Sequence, residues 1–431
     1  MKIGIIGGTD GLGHTLIYYF KDEFDVLITG RDHKKGQKVA NEANVEYIES
    51  NTEIASLCDI VIVSVPIQFT KEVIKEIAPF MKSGALLCDV TSVKEEPSEA
   101  MSEYLRSEIE FIPTHPIFGP RTTELDNQVI VLTPTKKGKW YPKVFDYLES
   151  KNMRVIETTA SHHDYMMSIV QVLTHFSYIS TASAFEKLKI NIKETEDYES
   201  PIYNLLIDTI ARIVAQNPFL TYYIQTKNNN GELIRNTFAD AVLELKEVIN
   251  ERKEDEFVDI AIRATKNMGD IQGALGRSDK AINSLSHEYT LLNQSIGHEV
   301  GLKHIYSGKV HTGTLKCVQK NTALLDNDKR LKVANIEILS DEELYEWKKA
   351  NLKHINEDIS CVFPDNVNSE IIKNTIKRLY NIIDVELVDS YKGPQIKENH
   401  ISLTFSIKAL DKKAIQSVIE LIEGFGGYIR G

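Results

Sequence analysis

The side chains with most to offer chemically sit at the ends of two apolar runs and on two long helical stretches. Thr114-His115-Pro116-Ile117-Phe118-Gly119-Pro120 follows one run. A histidine fixed by a following proline, with a glycine turn behind it, has the proton affinity of a general acid/base near neutral pH. A lone histidine at a strand end is also a common structural residue, so type alone leaves both readings open. The other run ends in Asp89-Val90-Thr91-Ser92-Val93-Lys94. Ligands of open α/β sheets lie beyond such carboxyl ends, which makes Ser92 a candidate. Gln171 and His175 follow Asp164 by 7 and 11 residues, two and three helical turns, and share a face with Ser168. Among Met166, Met167, Ile169, Val170, Val172 and Leu173, such a polar row reads as the solvent side of a helix. Arg212 is the only cation in the apolar stretch 200–215. It reads either as an arginine snorkelling to the surface or as a carboxylate ligand.

A glycine-rich turn, Gly7-Gly8-Thr9-Asp10-Gly11-Leu12-Gly13, links the first apolar run to a helical pattern. A dinucleotide pyrophosphate rests on a helix N-terminus at such a junction, so Gly8, Thr9, Asp10, Gly11, Leu12 and Gly13 are the expected cofactor contacts. Reading Gly8 and Gly13 as the first and third glycines of GxGxxG puts Asp10 at the second, with Gly11 beside it. The next run ends in Ile28-Thr29-Gly30-Arg31-Asp32. A carboxylate at that strand end takes both ribose hydroxyls of NAD, whereas a hydroxyl and a guanidinium suit the 2′-phosphate of NADP. Thr29 and Arg31 point to NADP; Asp32, one or two places late, keeps NAD in play. Val65 and Pro66 close a further run of the kind that borders a nicotinamide.

These residues need a frame. Strand candidates are 2–6, 25–29, 60–65, 85–90, 111–113 and 128–132, alternating with helical patterns at 12–20, 33–43, 69–80 and 97–105. Strand and helix in regular succession predict parallel pairing with right-handed crossovers. From Ser161 to about Tyr306 the pattern is helical, with stretches at 163–188, from Ser200-Pro201, and at 233–252, 256–268 and 278–302, and no convincing strand. Apolar stripes of that length bury against each other or against a second subunit. From 359 onward the pattern spells β-α-β-β-α-β. We expect a Rossmann-like doubly wound domain over 1–160, an all-helical substrate-binding and dimerisation domain over 161–310, and a ferredoxin-like α+β domain over 311–431.

Composition narrows the function classes. With 42% hydrophobic and 26% charged residues the chain is neither disordered nor a membrane bundle. A net charge of −12 argues against a general nucleic-acid binder. Cys58, Cys88, Cys317 and Cys361 have no paired CxxC spacing, which gives no support to a metal site or a disulfide framework. The N-terminus runs straight into a strand, and a cytoplasmic protein is expected.

Four motifs in order carry a resemblance: Asp89–Lys94, the HPIFGP run at His115, QVLTHF from Gln171 after His163-Asp164, and SPIYNLLIDTIARIVAQ from Ser200. Over about residues 1–300 the chain resembles the prephenate dehydrogenase family of tyrosine biosynthesis. The resemblance implies oxidation and decarboxylation of prephenate to 4-hydroxyphenylpyruvate, with hydride passing to NADP or NAD. His115 would draw the proton from the ring hydroxyl and Ser92 would share a hydrogen bond with it. His175 and Arg212, with Gln171, would hold the carboxylate end. Arogenate dehydrogenase is the nearest alternative, its substrate carrying an amino group in place of the keto group. A reductase passing hydride between NADP and a deazaflavin would leave HPIFGP and Arg212 without a role. A nicotinamide-binding regulatory protein without turnover is the alternative from another class. The tail, through Phe363-Pro364-Asp365, 386–396 and 400–405, resembles the ferredoxin-fold anticodon-binding module of phenylalanyl-tRNA synthetases. An effector role there, sensing an aromatic amino acid, competes with a structural one; RNA contact ranks last. A homodimer is expected.

Overall fold

Short runs of Ile, Val and Leu buried on both faces build the first sheet, so they read as unbroken apolar segments. In the computed structural model, which describes residues 1–319 and 321–430, these are β1 (Lys2–Ile6), β2 (Asp25–Thr29), β3 (Glu46–Tyr47), β4 (Ile60–Val63), β5 (Leu86–Asp89) and β6 (Glu110–Phe111). They pair in parallel in the order β3-β2-β1-β4-β5-β6. This is the doubly wound arrangement expected, and it puts the ligand crevice at the carboxyl ends of β1 and β4, where the order reverses. The crossovers are α1 (Gly11–Phe20), α2 (His33–Ala43), α3 (Asn51–Leu57), α4 (Ile67–Ile77) and α5 (Glu95–Tyr104). One apolar core gathers Ile5, Ile28 and Leu86, and a second gathers Ile6, Val61 and Leu87. A smaller sheet follows, with β7 (Thr114–Pro116) antiparallel to β8 (Val129–Leu132), and β9 (Arg154–Glu157), reached through α6 (Trp140–Ser150), parallel to β8. His115 is the middle residue of β7.

The helix expected over 163–188 is interrupted. It consists of α7 (Ala160–Met167), a π-helical turn (Ser168–Leu173) and α8 (Thr174–Lys187). Single π turns of this kind are frequent at functional sites. α9 (Pro201–Val214) starts as its sequence predicts, with Ser200 Oγ accepting from Tyr203 N–H at 3.2 Å and proline in the first turn. α10 (Pro218–Lys227), α11 (Gly231–Asn250) and α12 (Glu254–Asn267) complete the helical part. Ile67 and Val93 meet Val172 and Ile224 in a shared core, and Met1–Ile271 forms one compact unit. Ile169, Val170, Leu206, Leu243 and Ile262 are all exposed on these helices.

The second unit, Gln272–Gly431, takes up α13 (Ile271–Gln294) from its second residue. The helix expected to run to Leu302 ends earlier, because Gly297 adopts a left-handed φ of 88° and donates to the Leu315 carbonyl at 2.8 Å. The residues beyond it form β10 (Glu299–His304), a strand where none was expected, with Val300 and Leu302 buried. β11 (Val310–Gln319), β12 (Thr322–Leu325), β13 (Arg330–Lys332) and β14 (Ile336–Ile338) complete an antiparallel sheet in the order β13-β12-β11-β10-β14. The β10–β11 hairpin straddles the domain boundary expected at residue 310. After α14 (Asp341–Asn351) come β15 (Ile355–Pro364), α15 (Ser369–Ile376), β16 (Ile382–Tyr391), β17 (His400–Ala409), α16 (Lys412–Gly424) and β18 (Tyr428–Ile429). Their sheet order, β16-β17-β15-β18, and antiparallel pairing realise the β-α-β-β-α-β succession as a split β-α-β sheet. Among the described residues, no helix is long and apolar enough to cross a membrane.

Candidate active site

The glycine turn is shaped by two backbone demands. Gly7 and Gly8 both donate to the Thr29 carbonyl at 3.0 Å, with Gly7 at φ 89° and Gly11 at φ 54°. A Cβ on Gly13 would stand 2.3 Å from the Gly7 carbonyl oxygen, whereas one on Gly11 would meet nothing within 4 Å. The turn is therefore packed tight on its inner side and open on its outer side, at the N-terminus of α1. That cradle fits a dinucleotide pyrophosphate. Asp10 caps α1 without a side-chain hydrogen bond to it, and its carboxylate is paired with Lys35 instead. This pairing offsets a negative charge that would oppose a phosphate at the position where a glycine is expected.

At the end of β2, Thr29 is buried, and its carbonyl is the group that holds the turn. Arg31 is exposed, with its guanidinium 5.3 Å from the centre of the Phe69 ring. Asp32 Oδ1 accepts from Lys35 N–H at 3.0 Å and so caps α2. Val65 is half-buried and Pro66 exposed where β4 passes into α4.

The strongest cluster of titratable groups lies beyond β5 and β7. His115 is 3% exposed, and its Nδ1 is 2.8 Å from His163 Nε2; His163 Nδ1 is in turn 2.7 Å from Asp164 Oδ1. Asp164 Oδ1 also accepts from Lys94 N–H at 2.7 Å, and Oδ2 from Glu95 N–H at 3.0 Å, at the start of α5. An ionised carboxylate only accepts, so His163 carries its proton on Nδ1. The neutral ring then offers a lone pair at Nε2, and His115 donates to it from Nδ1. His115 Nε2 is left as a lone pair with no partner among the described residues. Burial holds His115 well below the ordinary histidine value of 6.5, with the neighbouring His163 and Lys94 acting in the same direction. The ring is a neutral base at pH 7.

The polar row on the interrupted helix turns inward, which corrects the solvent-side reading. Asp164, Ser168 and His175 are buried while Met166, Ile169 and Val170 are exposed. His175 Nδ1 and Gln171 Oε1 are buried without a hydrogen-bond partner among the described residues. Burial lowers the proton affinity of His175 as well. Orphaned polar atoms of this kind call for an unseen water or ligand group. Ser92 is half-buried in the β5–α5 loop, two residues before Lys94. Arg212 is exposed on α9 and is not drawn into the His115 cluster. Sequence reasoning did not single out His163 or the buried Lys94–Asp89 pair. The adjacent His163-Asp164 in an apolar stretch was the only available signal for the first. Because the inner side of the glycine turn has no room, Gly13→Ala is expected to weaken nicotinamide-cofactor binding at least tenfold, read by fluorescence titration.

Comparison with known proteins agrees with this frame. Residues 19–157 match the family profile described as "Prephenate dehydrogenase, nucleotide-binding domain", and 159–261 match "Prephenate dehydrogenase, dimerization domain". The "Probable arogenate/prephenate dehydrogenase" of Methanocaldococcus jannaschii is 39% identical over 99% of this chain and 98% of its own length. The "Prephenate dehydrogenase [NADP(+)]" of Saccharomyces cerevisiae is 23% identical over 70% of this chain and 68% of its own. In fold, the crystal structure of prephenate dehydrogenase from A. aeolicus with hydroxyphenyl propionate and NAD+ aligns with a TM-score of 0.51 at 20% identity, over 63% of this chain and 98% of that one. With a relative this similar along the whole chain, and both domain profiles matched in order, the chain belongs to the prephenate dehydrogenase family, and it is an oxidoreductase.

Proposed function

We propose that the chain oxidises and decarboxylates prephenate to 4-hydroxyphenylpyruvate, with NADP as the preferred cofactor. The observation that carries this reading is the His115–His163–Asp164 relay, which leaves a lone pair at His115 Nε2. The nicotinamide supplies the hydride acceptor. Gly8, Thr9, Gly11, Leu12 and Gly13 would hold the pyrophosphate on the N-terminus of α1, with Asp10 neutralised by Lys35. Val65 and Pro66 would border the nicotinamide. Asp32 is committed to capping α2 while Arg31 stays exposed beside β2, an arrangement that suits a 2′-phosphate better than a bare ribose.

Loss of hydride from a carbinol carbon leaves positive character that a partly deprotonated oxygen relieves. His115 Nε2 accepts the hydroxyl proton as the C–H electron pair departs, and Ser92 shares a hydrogen bond with the same oxygen. The imidazolium formed is stabilised through Nδ1–H by His163 and the Asp164 carboxylate. Departure of carbon dioxide aromatises the ring and draws the reaction forward. His175 and Gln171 present the orphaned polar atoms that the substrate's carboxylate end would satisfy, and Arg212 supplies a bidentate cation. The exposed apolar side chains of the helical part, in a region similar to a dimerization domain, support a homodimer. The C-terminal unit contributes none of these residues, which suits an effector role for an aromatic amino acid there. Arogenate is the second reading, since the Methanocaldococcus jannaschii relative's name includes it.

Steady-state assays of prephenate and arogenate, each with NADP and NAD, test the proposal. Turnover with prephenate and NADP is expected, and its absence contradicts it. His115→Asn is expected to lower kcat by about 10²–10⁴, the usual worth of a positioned base, with little change in KM. Turnover within threefold of the parent removes His115 from the mechanism. Arg31→Ala is expected to raise the KM for NADP far more than that for NAD; equal losses would mean that the guanidinium does not read the 2′-phosphate.

A further inference from the structure

Lys94 takes no part in the reaction as proposed, yet its side chain is wholly buried and ion-paired with Asp89, itself 0% exposed. All the hydrogen bonds to that carboxylate fall on one oxygen. Asp89 Oδ2 takes Lys94 Nζ, Thr91 N–H at 3.1 Å and Thr91 Oγ1 at 2.5 Å, while Oδ1 has no partner among the described residues. Lys94 Nζ reaches one further group, Thr91 Oγ1 at 3.3 Å. A sealed ion pair of this kind is no more stable than a neutral, well-packed pair would be. Its position suggests another use. The Lys94 N–H is bonded to the same Asp164 oxygen that accepts from His163, and Thr114 Oγ1, next to His115, donates to the Asp89 carbonyl at 2.5 Å. The backbones of both members of the ion pair are therefore bonded to the relay or to the residue next to it.

We propose that Lys94 is a positioning residue for His115: its buried ammonium disfavours the imidazolium and so keeps His115 in the lone-pair form, while its backbone N–H fixes the carboxylate that orients the relay. Among the described residues, His163 from α7 and Lys94 from the loop after β5 are the titratable groups that act on His115, and they are paired with Asp164 and Asp89 respectively. Asp89 opposes the effect of Lys94 and is bound to its ammonium. Burial is the main cause that lowers the proton affinity of His115, and the neighbouring His163 and the Lys94 ammonium act in the same direction. The same charge would also favour release of the proton that His115 gains in each turnover. The role rests on the proposed function, since it matters for turnover only if His115 is the base.

The test neutralises the pair and reads His115 directly. Asp89→Asn/Lys94→Met removes both charges while keeping a similar volume. Ring NMR of histidine-labelled enzyme, with the His115 signal assigned by its loss in His115→Asn, follows titration independently of activity. The expected result is a rise in the pH midpoint of His115 of up to about one unit, the loss of the Lys94 charge outweighing the opposed loss of the Asp89 charge. The acid limb of kcat/KM for prephenate should rise in parallel. If the double variant does not fold, Lys94→Gln, whose amide can still donate to Asp89, is expected to move the midpoint the same way. An unchanged or lowered NMR midpoint overturns the role of Lys94 and leaves the proposed function standing. A raised NMR midpoint with an unmoved acid limb upholds the electrostatic role and shows instead that His115 is not the base.

Discussion

The Asp164 carboxylate is the joint on which the site depends. It is 1% exposed, and its two oxygens accept from His163, Lys94 and Glu95, while its own carbonyl accepts from Asn228 Nδ2 at 2.7 Å. Lys94 N–H and Glu95 N–H are free donors at the start of α5, so the negative charge sits where the helix dipole favours it. One buried anion thereby fixes the start of α5, the tautomer of His163 and, through it, that of His115. The backbone carbonyl of the same residue, through Asn228, ties α7 to the segment between α10 and α11. Removing the carboxylate would leave three donors unsatisfied in a region without solvent, which costs more than the loss of a single hydrogen bond.

The helix that carries Asp164 shows the same constraint from the other side. Asp164, Ser168 and His175 turn inward beside Met167 and Val172, while Met166, Ile169 and Val170 turn outward. The inward face is held by specific bonds, such as Gln225 Nε2 to the Val172 carbonyl at 2.8 Å inside the π turn. The outward face carries the apolar surface expected of a helix that packs against another chain.

The sequence was most readable where local rules act alone. The parallel strands and α2, with bounds His33–Ala43 matching the reading, follow from β-branched runs and from capping by Asp32. Ser200-Pro201 marked the start of α9 for the same reason. β3, β7 and β9 have two to four residues each, too few to show periodicity, and β10 was hidden behind a long helical pattern whose end depends on a glycine bonded to a distant strand. In the site, His115 stood out by its motif, and Gln171 and His175 by their spacing. Their inward direction did not, because polar periodicity fixes a shared face without saying what covers it. The relay was illegible for a similar reason: His163 lies 48 residues from His115, and only the tertiary fold brings the two rings within 2.8 Å.

The central claim is that this relay leaves the lone pair of His115 on Nε2. Nitrogen-15 NMR of histidine-labelled enzyme at pH 7 measures this directly, since protonated and unprotonated ring nitrogens resonate far apart. The account predicts a neutral His115 with its proton on Nδ1 and a bare Nε2. A proton on Nε2, or an imidazolium at that pH, would contradict it.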